Sequence, residues 1–357
     1  MEQHIPASGH HENPERIRAI YKRLENDGLL KRCAVYNSEP AKLKYLTEVH
    51  TDSYVLRIAQ ESVIMSKKSG RGEMYLSDGS FEAILLAAGG AIKASRMVAL
   101  GKHQHAFAVI RPPGHHATAD KESGFCYFNN AAAAAKFLMK EHGLKKILII
   151  DWDVHFGDGT SDMFKLDDNI LFISLHRHPF NFPEKKEAMK SDNVGLSHGE
   201  GYNCNICWSE KGIEDDDLFA AFDYIVMPLA EEFKPDIILI SGGFDAAAND
   251  PIGDCCLTHS GYATVLHKLL QLNKGVVIVL EGGYNHEVTA ECCSSCVKVL
   301  CGDFSVVKDS SVYYPLNSTW DTINMLRRLL QVYWRCFRSP IPSQVLARSR
   351  HPVEEVT

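Results

Sequence analysis

The sequence predicts an α/β fold in which a doubly wound, mainly parallel sheet is flanked by helices. Three observations lead there. Apolar runs of four or five residues, Ile147–Ile150, Ile237–Ile240 and Val276–Leu280, have the length and β-branched content of strands buried on both faces. Segments of helical spacing separate them, which is the βα alternation of a parallel sheet. Each run then breaks off into polar residues: Asp151-Trp152-Asp153-Val154-His155, Ser241-Gly242-Gly243-Phe244-Asp245 and Glu281-Gly282-Gly283-Tyr284, while a fourth run, Val109-Ile110, enters Arg111-Pro112-Pro113-Gly114-His115-His116. In open α/β sheets the ligand site lies beyond the carboxyl ends of the strands. Four such ends therefore predict one shared site.

From the amino end, His11 to about Glu25 reads as a helix, with Pro14 tolerable in a first turn. Lys42–His50 reads as a short strand and turn, Asp52–Ser66 as a helix capped by Asp52 or Ser53, and Lys67–Gly72 as a loop. Ser80–Leu100 is rich in Ala and Leu, and Gly89-Gly90 inside it implies close packing rather than a break. Strands follow at Phe107–Arg111, Lys146–Asp151, Ile170–His176, Asp236–Ser241 and Gly275–Glu281, with a strand-like stretch at Tyr202–Trp208. Helices alternate with them at Asn129–Glu141, Thr160–Lys165, Asp215–Lys234, Ser260–Gln271 and Ala290–Leu300. His178–Gly201 is polar and holds Pro and Gly; a loop of that length in a compact domain is usually functional or mobile. Trp320–Arg338 reads as an amphipathic helix and Ser339–Thr357 as a loose tail, so residues 1–318 form one domain and 319–357 a terminal helix and flexible tail.

A chain of 357 residues with 45% hydrophobic content can bury a large core. Its net charge of −7 speaks against direct nucleic-acid binding, which calls for a basic balance, and suits a cationic partner without locating one. No run of 18 apolar residues is present, so no membrane span is expected, and the first residues do not read as a signal peptide. Eleven irregularly spaced cysteines argue for reduced thiols in cytosol or nucleus. The pairs Cys204/Cys207 and Cys293/Cys296 lie too far apart for a zinc ribbon and read as packed small hydrophobes.

Asp151, Asp153 and His155 recur at period two and so face one way from an extended strand. Asp153 and His155, joined by Asp245, make an open three-ligand set of the kind that holds zinc at roughly 2.0–2.2 Å and leaves a fourth position for water. Two carboxylates nearly cancel the charge of the ion, so a separate base is needed, and His115 and His116 supply it. One ring takes a proton from water and one hands a proton to a leaving amine. Asp151 and Asp158 are the carboxylates available to fix their tautomers. Tyr284, on a flexible Gly-Gly turn, is placed to donate its hydroxyl to a developing oxyanion. The bland readings are a helix cap for Asp151, a buried hydrogen-bonded pair for the histidines and a plain turn before Tyr284.

At these residues the chain resembles the zinc-dependent histone deacetylase family, most nearly its class II branch. The matching segments are Arg111–Ala117, Gly124–Asn130, Asp151–His155, Ser174–His178, Gly199–Asn203, Gly242–Ala247, Asp250–Gly253 and Leu280–Asn285, and the resemblance runs from about Gly9 to Asp303. The wording of Asn249–Cys256 is similar to plant members. The resemblance implies an arginase-deacetylase fold with residues 1–318 as its catalytic domain. It implies one zinc on Asp153, His155 and Asp245, a proton-transfer pair His115 and His116 backed by Asp151 and Asp158, and Tyr284 polarising the amide carbonyl. Gly124 and Phe125 would form one wall of the acetyl-lysine slot, with Phe182, or else Phe180, opposite. A monovalent cation, K+, is implied near Asp151, Asp153, His155, Ser174 and Leu175. The implied partners are acetyl-lysine proteins, histones or others, and corepressor proteins. The implied setting is chromatin regulation and transcriptional repression, in nucleus or cytoplasm.

Several positions depart from the family pattern. Phe156 stands where His is usual, and Asp158 where most class II relatives carry Asn, which should raise the basicity of His116. The loop 178–195 lacks the usual aromatic-Pro-Gly wording, and the strand normally preceding His11 is short or missing. Ile252 supplies no acid to attract a cationic polyamine, so an acyl-lysine protein is the better substrate. The retained Tyr284 favours turnover over a merely structural role. Two alternatives stay open: a catalytically weak scaffold of the same fold that recruits partners, and an arginase-like amidinohydrolase with two metal ions, although Asp245 is followed by Ala246-Ala247-Ala248 rather than another acid.

Overall fold

The computed structural model describes residues 1–65, 74–180, 182–183 and 187–351. In chain order its elements are α1 (Glu15–Asn26), α2 (Leu43–Leu46), α3 (Asp52–Met65), α4 (Ser80–Ala99), β1 (His105–Ala108), α5 (Asn130–His142), β2 (Ile147–Asp151), α6 (Asp158–Phe164), β3 (Ile170–Arg177), β4 (Asn203–Trp208), α7 (Asp215–Ala221), a π-helical turn (Phe222–Val226), α8 (Met227–Phe233), β5 (Ile237–Gly242), α9 (His259–Leu270), β6 (Gly275–Leu280), α10 (His286–Leu300), α11 (Asn317–Leu330) and α12 (Ser343–Leu346). The strands form one parallel sheet in the order β1-β6-β5-β2-β3-β4. The chain starts its central part at β2, moves outward through β3 and β4, then returns to β5 on the other side of β2. The strand order therefore reverses between β2 and β5, the place where an α/β sheet opens a crevice for ligands.

Every residue of β2, β3, β4 and β5 is buried, as a sheet covered on both faces requires. Each fully buried Ile or Leu contributes roughly 1.5–3 kcal/mol. Helices lie close because their sheet-facing residues are small. Ala131 to Ala135 of α5 are all buried, and Asn129 caps that helix by accepting the amide of Ala132 at 3.0 Å. A Cβ on Gly89 of α4 would meet the carbonyl oxygen of Glu39, so this glycine allows the connecting chain to cross the helix closely, and α4 continues through it.

Several segments differ from the sequence reading. Lys42–His50 is not a strand: α2 forms there, a single helical turn whose Leu46 is buried. Pro14 is the N-cap of α1, which starts at Glu15 rather than His11. The helix expected over Asp215–Lys234 is divided by the π-helical turn, whose Phe222, Ile225 and Val226 are buried. The helix expected over Trp320–Arg338 is α11 followed by a short 3-10 turn, Arg335–Phe337. Ser339–His351 is tied down rather than loose: Trp320 Nε1 donates to the Arg348 carbonyl at 2.7 Å and Arg350 donates to Asp217 at 2.6 Å. No strand precedes α1 among the described residues, and Lys67–Gly72 lies outside them. No helix among the described residues is long and apolar enough to cross a membrane.

Candidate active site

Adjacent strands deliver the donors. Asp151↔Ser241 and Gly242↔Leu280 are register pairs, so the loops after β2, β5 and β6 leave the sheet side by side. β2 stops at Asp151, so Asp153 and His155 reach the site along a loop and not by strand alternation. Backbone amides hold that loop: Asp151 Oδ1 accepts the amide of Asp153 at 3.1 Å, and Asp153 Oδ1 accepts that of His155 at 2.9 Å. Asp245 Oδ1 accepts the amide of Val154 at 2.8 Å, which fastens the β5 loop to the β2 loop.

Asp153, His155 and Asp245 converge. Nδ1 of His155 lies 3.0 Å from Asp153 Oδ1 and 3.0 Å from Asp245 Oδ2, and all three side chains are buried. One donor atom from each falls within 4.8 Å of the others. The glycines around them are close-packed rather than flexible. A Cβ on Gly282 would sit 2.4 Å from Asp245 Oδ2 and 2.5 Å from Asp153 Oδ2, so the carboxylates close over a position that only glycine can fill. Burial and the neighbouring Asp153 charge push the Asp245 carboxyl up to about 7. A divalent cation would remove that repulsion, and two carboxylates with one imidazole fit zinc.

His115 and His116 sit beside this set on separate carboxylates. Nδ1 of His115 pairs with Asp151 Oδ2 at 2.9 Å, and Nδ1 of His116 with Asp158 Oδ1 at 2.8 Å. The two ring centroids are 4.0 Å apart. His115 Nε2 lies 3.9 Å from Asp153 Oδ2, on the side of the metal-type donors. Burial opposes charge on His115, but Asp151 and Asp153 outweigh it and raise its pKa. His116 goes the other way: burial and the charge of His115 lower it to about 4, while Asp158 acts to raise its basicity, as its acidity suggested.

Tyr284 stands over the donors. Its amide donates to Asp250 Oδ2 at 2.7 Å, and its ring is flanked by Phe125 at 5.8 Å and by the Arg16 guanidinium at 5.1 Å. Burial raises the phenol pKa well above its usual value, with Asp245 and Asp153 adding to the rise against Arg16, so the hydroxyl remains a donor at neutral pH. Gly124 and Phe125 both take positive φ, 50° and 66°. A Cβ on Gly124 would lie 2.4 Å from the His116 ring and 2.6 Å from the Phe182 ring. Phe182 meets His116 edge-on at 4.8 Å and thus faces Gly124 across the site. Phe180 lies against His155 at 4.9 Å and under Arg177 at 4.5 Å. Phe156 is buried and packs on His176 at 4.7 Å. Ser174 pairs with Asp151 in register and its hydroxyl meets His176 Nδ1 at 2.9 Å.

The sequence reading missed a buried charge network behind the site. Glu12 is grasped by Arg111 through two hydrogen bonds of 2.7 Å each, and it also accepts from Tyr75 at 2.9 Å and Arg16 at 3.3 Å. Arg16 in turn donates to the carbonyls of Gly283 and Glu281, so it braces the turn that presents Tyr284. A usable signal existed: Arg16, Ile20 and Leu24 share one helical face and all three are buried. Glu281 is a second residue of the site that the sequence reading missed. Its Oε2 accepts the amides of Gly114 at 2.6 Å and His115 at 3.2 Å, which fixes the backbone under the histidine pair.

The family profile described as "Histone deacetylase domain" matches residues 10–300. The chain belongs to the histone deacetylase family, on its class II branch. It is 44% identical over 338 residues to "Histone deacetylase 5" of Arabidopsis thaliana, covering 91% of this chain and 51% of that protein. "Histone deacetylase HDA1" of Saccharomyces cerevisiae is 36% identical over 352 residues, with coverages of 92% and 50%. "Polyamine deacetylase HDAC10" of Homo sapiens is 36% identical over 338 residues, with coverages of 91% and 49%. This chain thus spans about half the length of the curated relatives it matches. The crystal structure of the "HDA15 HD domain" superposes with a TM-score of 0.85 at 36% identity, covering 93% of this chain and 91% of that one, so this deacetylase-family chain has the arginase-deacetylase fold.

Proposed function

We propose that the chain is a zinc-dependent protein-lysine deacetylase, a hydrolase of the linear amide in acetyl-lysine. One observation carries the reading: an Asp-His-Asp donor set closes within 4.8 Å beside two buried histidines, each held on a carboxylate of its own. Zinc held by Asp153, His155 and Asp245 would supply a Lewis acid that polarises the amide carbonyl and acidifies water. The remaining work belongs to the side chains. With Nδ1 given to Asp151 or Asp158, the Nε2 atoms of His115 and His116 are left for proton transfer, one ring accepting from water and the other donating to the departing amine. Tyr284 donates its hydroxyl to the oxyanion. Gly124, Phe125 and Phe182 line an apolar slot suited to the uncharged stem of acetyl-lysine.

Ile252 places no acid near Asp250 for a polyamine, which favours acyl-lysine proteins, histones or others, over the substrate class in the human relative's name. A monovalent cation near Asp151, Asp153, His155, Ser174 and Leu175, corepressor partners, a role in chromatin repression, and residence in nucleus or cytoplasm belong to the same proposal. So does the division of the chain into a catalytic domain at 1–318 and a terminal segment from 319. The test is elemental analysis of gel-filtered protein together with turnover on a panel of acetyl-lysine peptides, with and without a hydroxamate chelator. One zinc per chain and hydroxamate-sensitive acetate release are expected. Zinc without acetate release would instead support the scaffold, and two tightly held manganese ions the arginase-like enzyme.

A further inference from the structure

His115 also belongs to a second group of metal-binding side chains, whose other two members, Cys126 and Glu281, transfer no proton in the reaction above. The Cys126 thiol, a carboxylate oxygen of Glu281 and a ring nitrogen of His115 fall within 4.8 Å of one another. They come from two segments: His115 and Cys126 from the long connection between β1 and α5, and Glu281 from the first position after β6. All three side chains are buried. Glu281 is half-used: Oε2 accepts two amides, but Oε1 is buried and has no hydrogen-bond partner among the described residues. Native structures seldom leave a buried carboxylate oxygen in that condition without an ion, a water or a function. Cys126 forms no disulfide, and its contact is the carbonyl of Gly124 at 3.2 Å.

We propose that His115, Cys126 and Glu281 form a second metal site, which takes zinc or a similar borderline-soft divalent ion after the Asp-His-Asp set is filled, and that its occupation withdraws His115 from proton transfer. The donor chemistry selects the ion. A thiolate, a carboxylate and a neutral imidazole together carry a charge of about −2, which matches a divalent cation. A sulfur donor favours zinc or cobalt over magnesium, calcium or potassium. His115 Nδ1 is engaged by Asp151, which leaves Nε2 to serve the ion once that nitrogen has released its proton to the buffer. As the sulfur–metal bond forms, the Cys126 proton passes to the buffer. The binding claim stands on these residues alone; the inhibitory claim also rests on the deacetylase reading.

Cobalt separates the two sites, because only the second contains sulfur. Protein carrying one zinc per chain is freed of excess metal and titrated with cobalt chloride until its absorbance is constant. The expected result is a thiolate-to-cobalt charge-transfer band at roughly 300–350 nm that saturates at one added ion per chain. Cys126→Ser removes the band while keeping one zinc and the native circular dichroism. Glu281→Gln, which keeps an acceptor for the two amides but loses the charge, raises the half-saturating cobalt concentration at least about tenfold. In parallel, added zinc inhibits acetyl-lysine turnover by the wild-type chain, and Cys126→Ser needs at least about tenfold more zinc for the same loss. A missing band, or a band undiminished in Cys126→Ser, overturns the site. Cobalt saturation with undiminished turnover overturns its inhibitory role. A chain that gives the band and never releases acetate leaves the site standing and sinks the deacetylase reading instead.

Discussion

Replacing Glu12 by Gln tests how the site is held in place. The Glu12 carboxylate joins Arg111 and Arg16, and all three side chains are fully shielded from solvent. Glutamine keeps one acceptor oxygen and turns the other position into a donor, so a guanidinium N–H that now donates across 2.7 Å would face another N–H group instead. Breaking one partner of a buried ion pair costs about 3–5 kcal/mol. At about 2 °C per kcal/mol for a domain of this size, the melting temperature should fall by about 6–10 °C. Calorimetry at neutral pH measures it. Turnover should fall too, with zinc content unchanged, because Arg16 braces the Gly283 carbonyl next to Tyr284. A variant that melts within about 1 °C of wild type would refute the claim that this network carries stability.

The same carboxylate sets a pH dependence. Burial works to raise the Glu12 pKa, but Arg111 and Arg16 outweigh it and hold it at about 2, below its unfolded value. Its contribution is therefore complete above about pH 4.5 and is lost as pH falls toward 2, so the gap between wild-type and Glu12→Gln melting temperatures should narrow in acid. Tyr284→Phe should keep one zinc and lose about 10²–10³-fold in turnover, read from acetate release. Asp245→Asn should lose zinc, read by elemental analysis, because the amide is a poorer donor than the carboxylate. Gly124→Ala would press a methyl 2.4 Å from the His116 ring at a backbone φ of 50°, so kcat/KM should drop at least about tenfold while zinc stays bound.

The sheet was legible because its strands are buried on both faces, and such strands write themselves as unbroken Ile, Leu and Val. The Asp-His-Asp set and the histidine pair were legible because each closes one of those runs. What escaped has a common cause. α2 is one turn long, too short for periodicity to register, and only tertiary contact around Leu46 holds it. Arg16, Arg111 and Glu12 are residue types that normally face water, and their burial becomes visible only once remote segments pair their charges. The pKa of His116 escaped for the same reason: Asp158 was visible in the sequence, but the dry enclosure that outweighs it was not. The Gly282-Gly283 pair reads as a slack turn in sequence, but Gly282 is crowded by the carboxylates of Asp153 and Asp245, and Gly283 by Thr289 and Phe244.

His115 and His116 are neighbours in the chain, yet their anchors ride on different bodies. Asp151 is the last residue of β2, locked inside the sheet, whereas Asp158 opens the short helix α6. The two halves of the proton relay thus rest on different supports, one inside the sheet and one at a helix start, and the amide of Thr160 in α6 donates to the His115 carbonyl at 3.2 Å, which couples those supports.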